Sequence, residues 1–351
     1  MGSRRRRQRP ENSSPLRRMS DLFASPEFFP LGFDPDRGLV TFVQMTRENY
    51  ADSVFLDYRT RHLGNTITLR LDDVVLACRT VSTPPARVHY ILNTAYCCST
   101  LLSRYFESLP NCLVLREPRP LVQVANMMDE EDPRWELFLD VCMKLLLRSY
   151  EPGQVVVIKP YEPCNRLAKA LLERDRDATA TYLITPLRSF LLSVLKSEER
   201  REWVRVRVDS AVRDTSRYGV LGGISVDDLS TPQAATYVWL LNYSVFRAIN
   251  ANNETGRVVL ANGDILVESP ETTLRAILRG SCMRVDEQQI ESMIAAGSTQ
   301  RYSKDSDRPY DAASRHDQLN ELNRCWGTEA DEGIEWAQSL GFQLQDLELS
   351  W

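Results

Sequence analysis

The chain has 351 residues, 43% of them hydrophobic, and a formal net charge of −5. That is enough apolar material for one large core or two smaller ones, and no run of about 18 apolar residues occurs, so a membrane span is not expected. The charge is uneven: residues 1–20 carry seven arginines and one glutamate, leaving an acidic remainder that argues against a general nucleic-acid binder.

No apolar signal-peptide core follows the early arginines, and Arg6 stands where a myristoylation signal needs Ser or Thr, so a cytosolic protein without a lipid anchor is expected. The eight cysteines show no C-x-x-C spacing, and the three histidines, His62, His89 and His316, show no metal-ligand spacing. Reduced thiols and no metal site are expected.

In chain order, residues 1–36 read as a disordered basic tail, rich in Arg, Ser, Pro and Asn without a sustained period. Residues 37–86 read as a small mixed N-terminal module: a strand at 40–45, a short helix within 46–58, a strand at 67–71, and a connector at Pro84-Pro85. From Arg87 to the end, strands and helices alternate in the manner that implies a parallel sheet. Five short apolar runs, at 88–92, 112–115, 155–158, 181–184 and 258–260, are nearly continuous, as strands buried on both faces should be. Helical patterns lie at 135–149 and 165–174, after Leu187, at 234–249, 273–278, 286–296 and 331–340.

The first of the five runs leads into Thr94-Ala-Tyr-Cys-Cys-Ser-Thr and then an amphipathic helix, with Leu101, Leu102, Tyr105, Phe106 and Leu109 on one face. Free N–H groups at a strand-to-helix turn, backed by the helix dipole, form an anion cradle. Tyr96, Cys97, Cys98, Ser99, Thr100 and Leu101 would line it, with Arg104 within a turn. A plain N-cap at Ser99 is the alternative. The turn lacks the glycines and lysine of the ATP-type G-x-x-x-x-G-K-[ST] loop.

Ligands of an open parallel sheet collect beyond the carboxyl ends of its strands, so the residues just after each run carry weight. Glu117 follows the second run and could act as a general base, or could only pair with Arg116. Lys159 ends the third; a lysine there is costly unless an anion meets it or its stem carries the charge out to solvent. After the fourth comes Arg188, whose guanidinium fork suits a phosphate; Arg188 and Lys196 could otherwise be ordinary solvated helix charges.

These segments, in this order, resemble the sulfotransferases over about residues 87–300. Tyr96-Cys-Cys-Ser-Thr-Leu-Leu resembles a divergent form of their 5′-phosphosulfate loop, with Tyr96 at the lysine position. Val157-Ile-Lys159-Pro-Tyr161 is similar to their Ile-Ile-Lys-x-His segment, with Tyr161 in place of the histidine. Thr185-Pro-Leu-Arg188, followed by Ser193, resembles their 3′-phosphate segment, with Arg188 standing in for an arginine at the position of Thr185. Asp264 and Ser269-Pro-Glu match a further family stretch, where Asp264 would brace the loop; Arg301 and Lys304 correspond weakly to a basic loop that closes on the nucleotide.

The resemblance implies a P-loop NTPase-like α/β/α fold with a central parallel sheet, preceded by the small module. It implies transfer of a sulfuryl group from 3′-phosphoadenosine 5′-phosphosulfate (PAPS), without a metal, to a hydroxyl or amine of a small-molecule or carbohydrate-type acceptor. Glu117 would be the base and Lys159 the charge stabiliser. Ser99 and Thr100 with the loop amides would hold the 5′-phosphate, and Arg188 and Ser193 the 3′-phosphate. Acceptor contacts are expected from residues 127–132 and 198–223. A non-catalytic nucleotide- or partner-binding protein on the same fold, and a P-loop kinase, are the alternatives.

Overall fold

The computed structural model describes residues 23–80, 85–251, 256–281, 283–298, 301–302, 305–309 and 312–349. Strands β1 (Phe28–Asp34), β2 (Leu39–Gln44) and β3 (Thr66–Arg70) form an antiparallel sheet in that order. The fold therefore begins well before residue 37. Pro30 and Gly32 interrupt the strand signal of β1 and sit at a register shift, yet Phe29, Leu31 and Phe33 are buried. The side chain of Gln123 takes up both backbone groups of Phe33, accepting from its N–H at 2.8 Å and donating to its carbonyl at 2.7 Å.

This sheet is not a separate body. Phe29, Phe42 and Val43 share one core with Leu121, Val124 and Phe138, and the Phe33 ring meets Phe138 edge-on at 5.1 Å. The connection from β2 to β3 is long, holding helix α1 (Arg47–Asp52) and a 3₁₀ turn at Tyr58–His62. Helix α2 (Leu71–Thr80) leads out of the sheet.

The main sheet is parallel, built from β4 (Arg87–Asn93), β5 (Cys112–Arg116), β6 (Val155–Lys159), β7 (Thr179–Ile184) and β8 (Val258–Asn262) in the order β5-β6-β4-β7-β8. All five runs expected as strands form it. Alternate residues feed opposite faces: Val156 and Ile158 enter the core shared with the N-terminal strands, and Val155 and Val157 enter another with Leu102 and Phe106. Both faces are covered by helices, which gives the expected three-layer α/β architecture. The chain steps from β4 to β5 and β6 on one side, then crosses to β7 and β8 on the other, so a crevice opens at the carboxyl end of β4.

Between β4 and β8 the helices are α3 (Ser99–Glu107), α4 (Arg119–Asp129), α5 (Trp135–Leu146), α6 (Ala168–Arg174), α7 (Leu187–Leu195), α8 (Glu198–Tyr218) and α9 (Thr231–Asn250). Beyond β8 come α10 (Gly263–Glu268), α11 (Pro270–Arg279), α12 (Glu287–Ser298), α13 (Ala312–Ser339) and α14 (Leu344–Glu348). The sequence signal at 331–340 captures only the end of α13, whose non-helical Trp326 breaks its period. No helix among the described residues is long and apolar enough to cross a membrane.

His89 sits in the sheet centre and is fully buried. Its Nδ1 lies 2.8 Å from Thr179 Oγ1 and its Nε2 3.0 Å from Thr181 Oγ1. Burial pushes its pKa down to about 3, so it is a neutral core residue joining β4 to β7.

Candidate active site

A cavity of about 430 Å³ lies at the carboxyl ends of β4, β5 and β6. Tyr96, Cys97, Cys98, Ser99, Thr100, Leu101 and Arg104 of the expected cradle line it, as do Glu117, Lys159 and Ser193. Side chains up to about 100 residues apart in sequence thus meet in one crevice.

The cradle reaches its shape without glycine. Ala95, Tyr96 and Cys98 adopt φ of 61°, 50° and 66°, left-handed values that cost non-glycine residues roughly 1–3 kcal/mol each. Such strain persists only where neighbours enforce it. Asn93 Oδ1 accepts from the Ala95 N–H at 3.1 Å, while the Asn93 amide donates to the Pro160 carbonyl at 3.0 Å, tying the loop to the end of β6. Behind the loop, a Cβ on Gly263 would stand only 2.3 Å from the Cys97 carbonyl oxygen, so α10 and the loop are packed backbone to backbone. Asn262 caps α10, accepting from the Asp264 N–H at 2.8 Å.

α3 begins at Ser99 with no side-chain cap, and its first intrahelical bond runs from Leu102 N–H to the Cys98 carbonyl. The N–H groups of Ser99, Thr100 and Leu101 precede that bond and have no partner within the helix. Arg104 is half-buried, and its Nε is enclosed without a hydrogen-bond partner among the described residues. Burial lowers its pKa, a state that an anion in the cavity would reverse.

Lys159 and Glu117 stand at the ends of neighbouring strands and form an ion pair, with side-chain exposures of 5% and 19%. The Glu117 N–H also donates to the Lys159 carbonyl at 2.7 Å, and Glu117 takes a left-handed φ of 49° to do so. Arg116 is not the partner of Glu117: its guanidinium is buried, bonded to Glu107 and to the carbonyls of Ala51 and Ser53. Lys159 does not escape to solvent either. Its ammonium lies 5.7 Å from the Phe55 ring.

Tyr96 and Tyr161, at the positions of the expected lysine and histidine, belong to an aromatic wall with Trp203 of α8. Trp203 Nε1 donates to Tyr161 Oη at 2.7 Å and meets the Tyr96 ring edge-on at 5.3 Å. Burial pushes the Tyr161 pKa up to about 12 and raises that of Tyr96. The Arg200 guanidinium covers the Tyr96 ring at 4.3 Å and donates to the Ser193 carbonyl at 2.7 Å.

Arg188 is the site residue that the structure removes. One turn into α7, it faces α13, donating to Asn323 at 2.7 Å and pairing with Asp331, outside the cavity. The cations at that end are instead Lys196, Arg200 and Arg315. Asp264 does not brace the loop directly; it accepts from the Arg315 guanidinium at 2.9 Å and so fixes a cavity arginine. The side chains of Arg301 and Lys304 lie outside the described residues.

The segments expected to contact the acceptor behave differently. Arg213 of α8 pairs with Asp129, and Arg217 pairs with Asp214, so both arginines are spent within the fold. Arg207 is buried between Glu162 and Asp214 at 2.9 and 3.0 Å. Only Glu199, Arg200 and Trp203 of α8 reach the cavity. The sequence singles out neither Phe55 nor Arg315, and covers Arg200 and Trp203 only within the segment 198–223. Only Arg200 and Trp203 left a trace there, sharing a face three residues apart just inside an acidic helix start.

No family model matches the sequence, and no curated protein does. Among solved structures, the chain is similar to the sulfotransferase domain from the curacin biosynthetic pathway (15% identity, 75% of this chain and 99% of that one, TM-score 0.37). It is also similar to a sulfotransferase from Mycobacterium tuberculosis (12%, 72% and 80%, TM-score 0.41) and one from Mycobacterium avium (13%, 93% and 98%, TM-score 0.39). At such identities and TM-scores these likenesses carry no argument about chemistry, and the functional reading rests on the cavity itself.

Proposed function

We propose that the chain is a sulfotransferase, moving a sulfuryl group from PAPS to an acceptor hydroxyl. The observation that carries this reading is the meeting, in one cavity, of an anion cradle with a buried ammonium and a carboxylate at the ends of adjacent strands. The acceptor oxygen bonds to sulfur as the S–O bond to the 5′-phosphate breaks, leaving adenosine 3′,5′-bisphosphate, and the hydroxyl proton passes to Glu117. Transfer of this kind asks the protein mainly for positioning and charge stabilisation.

The residues fit that donor. The amides and hydroxyls of Ser99 and Thr100, with Arg104, would hold the 5′-phosphate. Lys159 would balance charge on the oxygens around sulfur. Ser193, Lys196, Arg200 and Arg315 would meet the second phosphate in place of Arg188. The absence of the lysine and glycines of the ATP loop speaks against a kinase.

A non-catalytic nucleotide binder is the second reading, favoured by Tyr96 and Tyr161, whose rings are engaged with Trp203. One experiment separates the readings. Adenosine 3′,5′-bisphosphate at micromolar concentration should raise the melting temperature while ATP with Mg²⁺ does not. Transfer of labelled sulfate, lost in Glu117→Gln with bisphosphate binding retained, marks the enzyme; binding without transfer to any acceptor marks the binder.

A further inference from the structure

The long connection between β2 and β3 is laid against the candidate base. Leu56 makes two backbone hydrogen bonds that bracket Glu117: its N–H donates to the Arg116 carbonyl at 2.8 Å, and its carbonyl accepts from the Arg119 N–H at 2.9 Å. This clamp places the preceding residue, Phe55, in the cavity beside Lys159. The Arg59 guanidinium lies over the ring at 4.9 Å and is itself fixed by Asp57. Nearby in sequence, Val54 and Tyr58 are 40% and 70% exposed. Midway along, this connection presents a ring 5.7 Å from the Lys159 ammonium.

Tyr161 and Trp203 line the same cavity. The indole N–H is already given to the Tyr161 oxygen, so these two residues offer their ring faces and the Tyr161 hydroxyl proton. Against the rings of Phe55, Tyr161 and Trp203 a polyol acceptor would lose water from many hydroxyl groups and recover few hydrogen bonds, whereas an alcohol on an apolar framework needs one polar partner for its single hydroxyl. Glu117 is that partner.

We infer that the N-terminal sheet completes the acceptor site through Phe55, and that the acceptor is an alcohol carried on an apolar, preferably aromatic, framework. This rests on the sulfotransferase reading. The N-terminal segment is then a specificity element of the same site.

The test compares 2-phenylethanol with methyl glucoside as acceptors in the wild type, Phe55→Ala and Phe55→Tyr, with adenosine 3′,5′-bisphosphate affinity measured alongside. The expected result is sulfate transfer to 2-phenylethanol, with KM raised about 10-fold in Phe55→Ala, restored in Phe55→Tyr, and bisphosphate affinity unchanged in both. Transfer to methyl glucoside alone, or a KM indifferent to Phe55→Ala, overturns the acceptor inference and leaves the sulfotransferase reading standing. Failure of the wild type to bind the bisphosphate overturns the reading beneath it, and the inference with it.

Discussion

Lys159 and Glu117 hold each other twice, by a buried ion pair and by the hydrogen bond from the Glu117 N–H to the Lys159 carbonyl. The backbone bond keeps the two side chains adjacent whatever else binds. On the sulfotransferase reading, a donor anion would compete with Glu117 for the ammonium, and the carboxylate would then be free to turn toward the acceptor. Glu117→Gln should abolish transfer by about 10²–10⁴-fold, yet bind adenosine 3′,5′-bisphosphate as well as the wild type or about 3- to 10-fold more tightly. Lys159→Met should weaken that binding. Calorimetric titration decides it, and weaker binding in Glu117→Gln would contradict the competition.

Gly263 is the support behind the cradle. A methyl group there would drive into the Cys97 carbonyl, and neither backbone can yield without moving the left-handed turn. Gly263→Ala should cost about 10-fold or more in bisphosphate affinity, read by titration, with a smaller loss of melting temperature. An unaltered affinity would mean that the loop is held elsewhere.

The cluster around Arg207 should dominate the local stability of the crevice floor. The arginine is buried, and it satisfies Glu162 and Asp214 together while donating to Ser210 at 2.7 Å. Replacing it by Met strands Glu162, which is fully buried and keeps the Asn242 amide at 2.7 Å as a side-chain donor. Urea denaturation should register a loss of about 3–5 kcal/mol.

His89 gives a pH signature. The folded chain holds it neutral with its pKa at about 3, while the unfolded chain protonates it near the ordinary value of about 6.5. The unfolded state therefore binds more protons between those values, so this contribution is complete above about pH 6.5 and is lost as pH falls toward 3. Its slope is at most about 1.4 kcal/mol per pH unit. In His89→Gln that part of the slope should vanish, so the stability gap between the two proteins narrows from pH 7 to pH 5. Parallel curves would place the acid sensitivity in another group.

Where one short signal decided an element, the sequence was readable. The five parallel strands are buried on both faces, so their apolar runs needed no pairing information to be recognised, and the cradle followed because it directly succeeds the first of them. β1 was missed because Pro30 and Gly32 break its alternation, and its burial depends on helices α4 and α5, about a hundred residues away. Arg188 was misplaced for a similar reason: spacing puts it near the cavity, but its direction is set by Asn323 and Asp331 on a helix that contacts it only in the folded chain. Phe55 and Arg315 gave no local signal, since each owes its position to backbone or charged partners far along the sequence.

The shared core of the N-terminal sheet also governs how the chain can mature on the ribosome. Phe33 finds Phe138, and the Phe28 carbonyl finds the Arg148 guanidinium at 2.6 Å, only after those later residues have been synthesised. At translation speeds of roughly 5–20 residues per second, the apolar faces of β1 and β2 wait on the order of 5–25 s for their cover. Throughout that interval the newborn strands carry exposed phenylalanines, so slow or interrupted synthesis prolongs the time this stretch is open to aggregation.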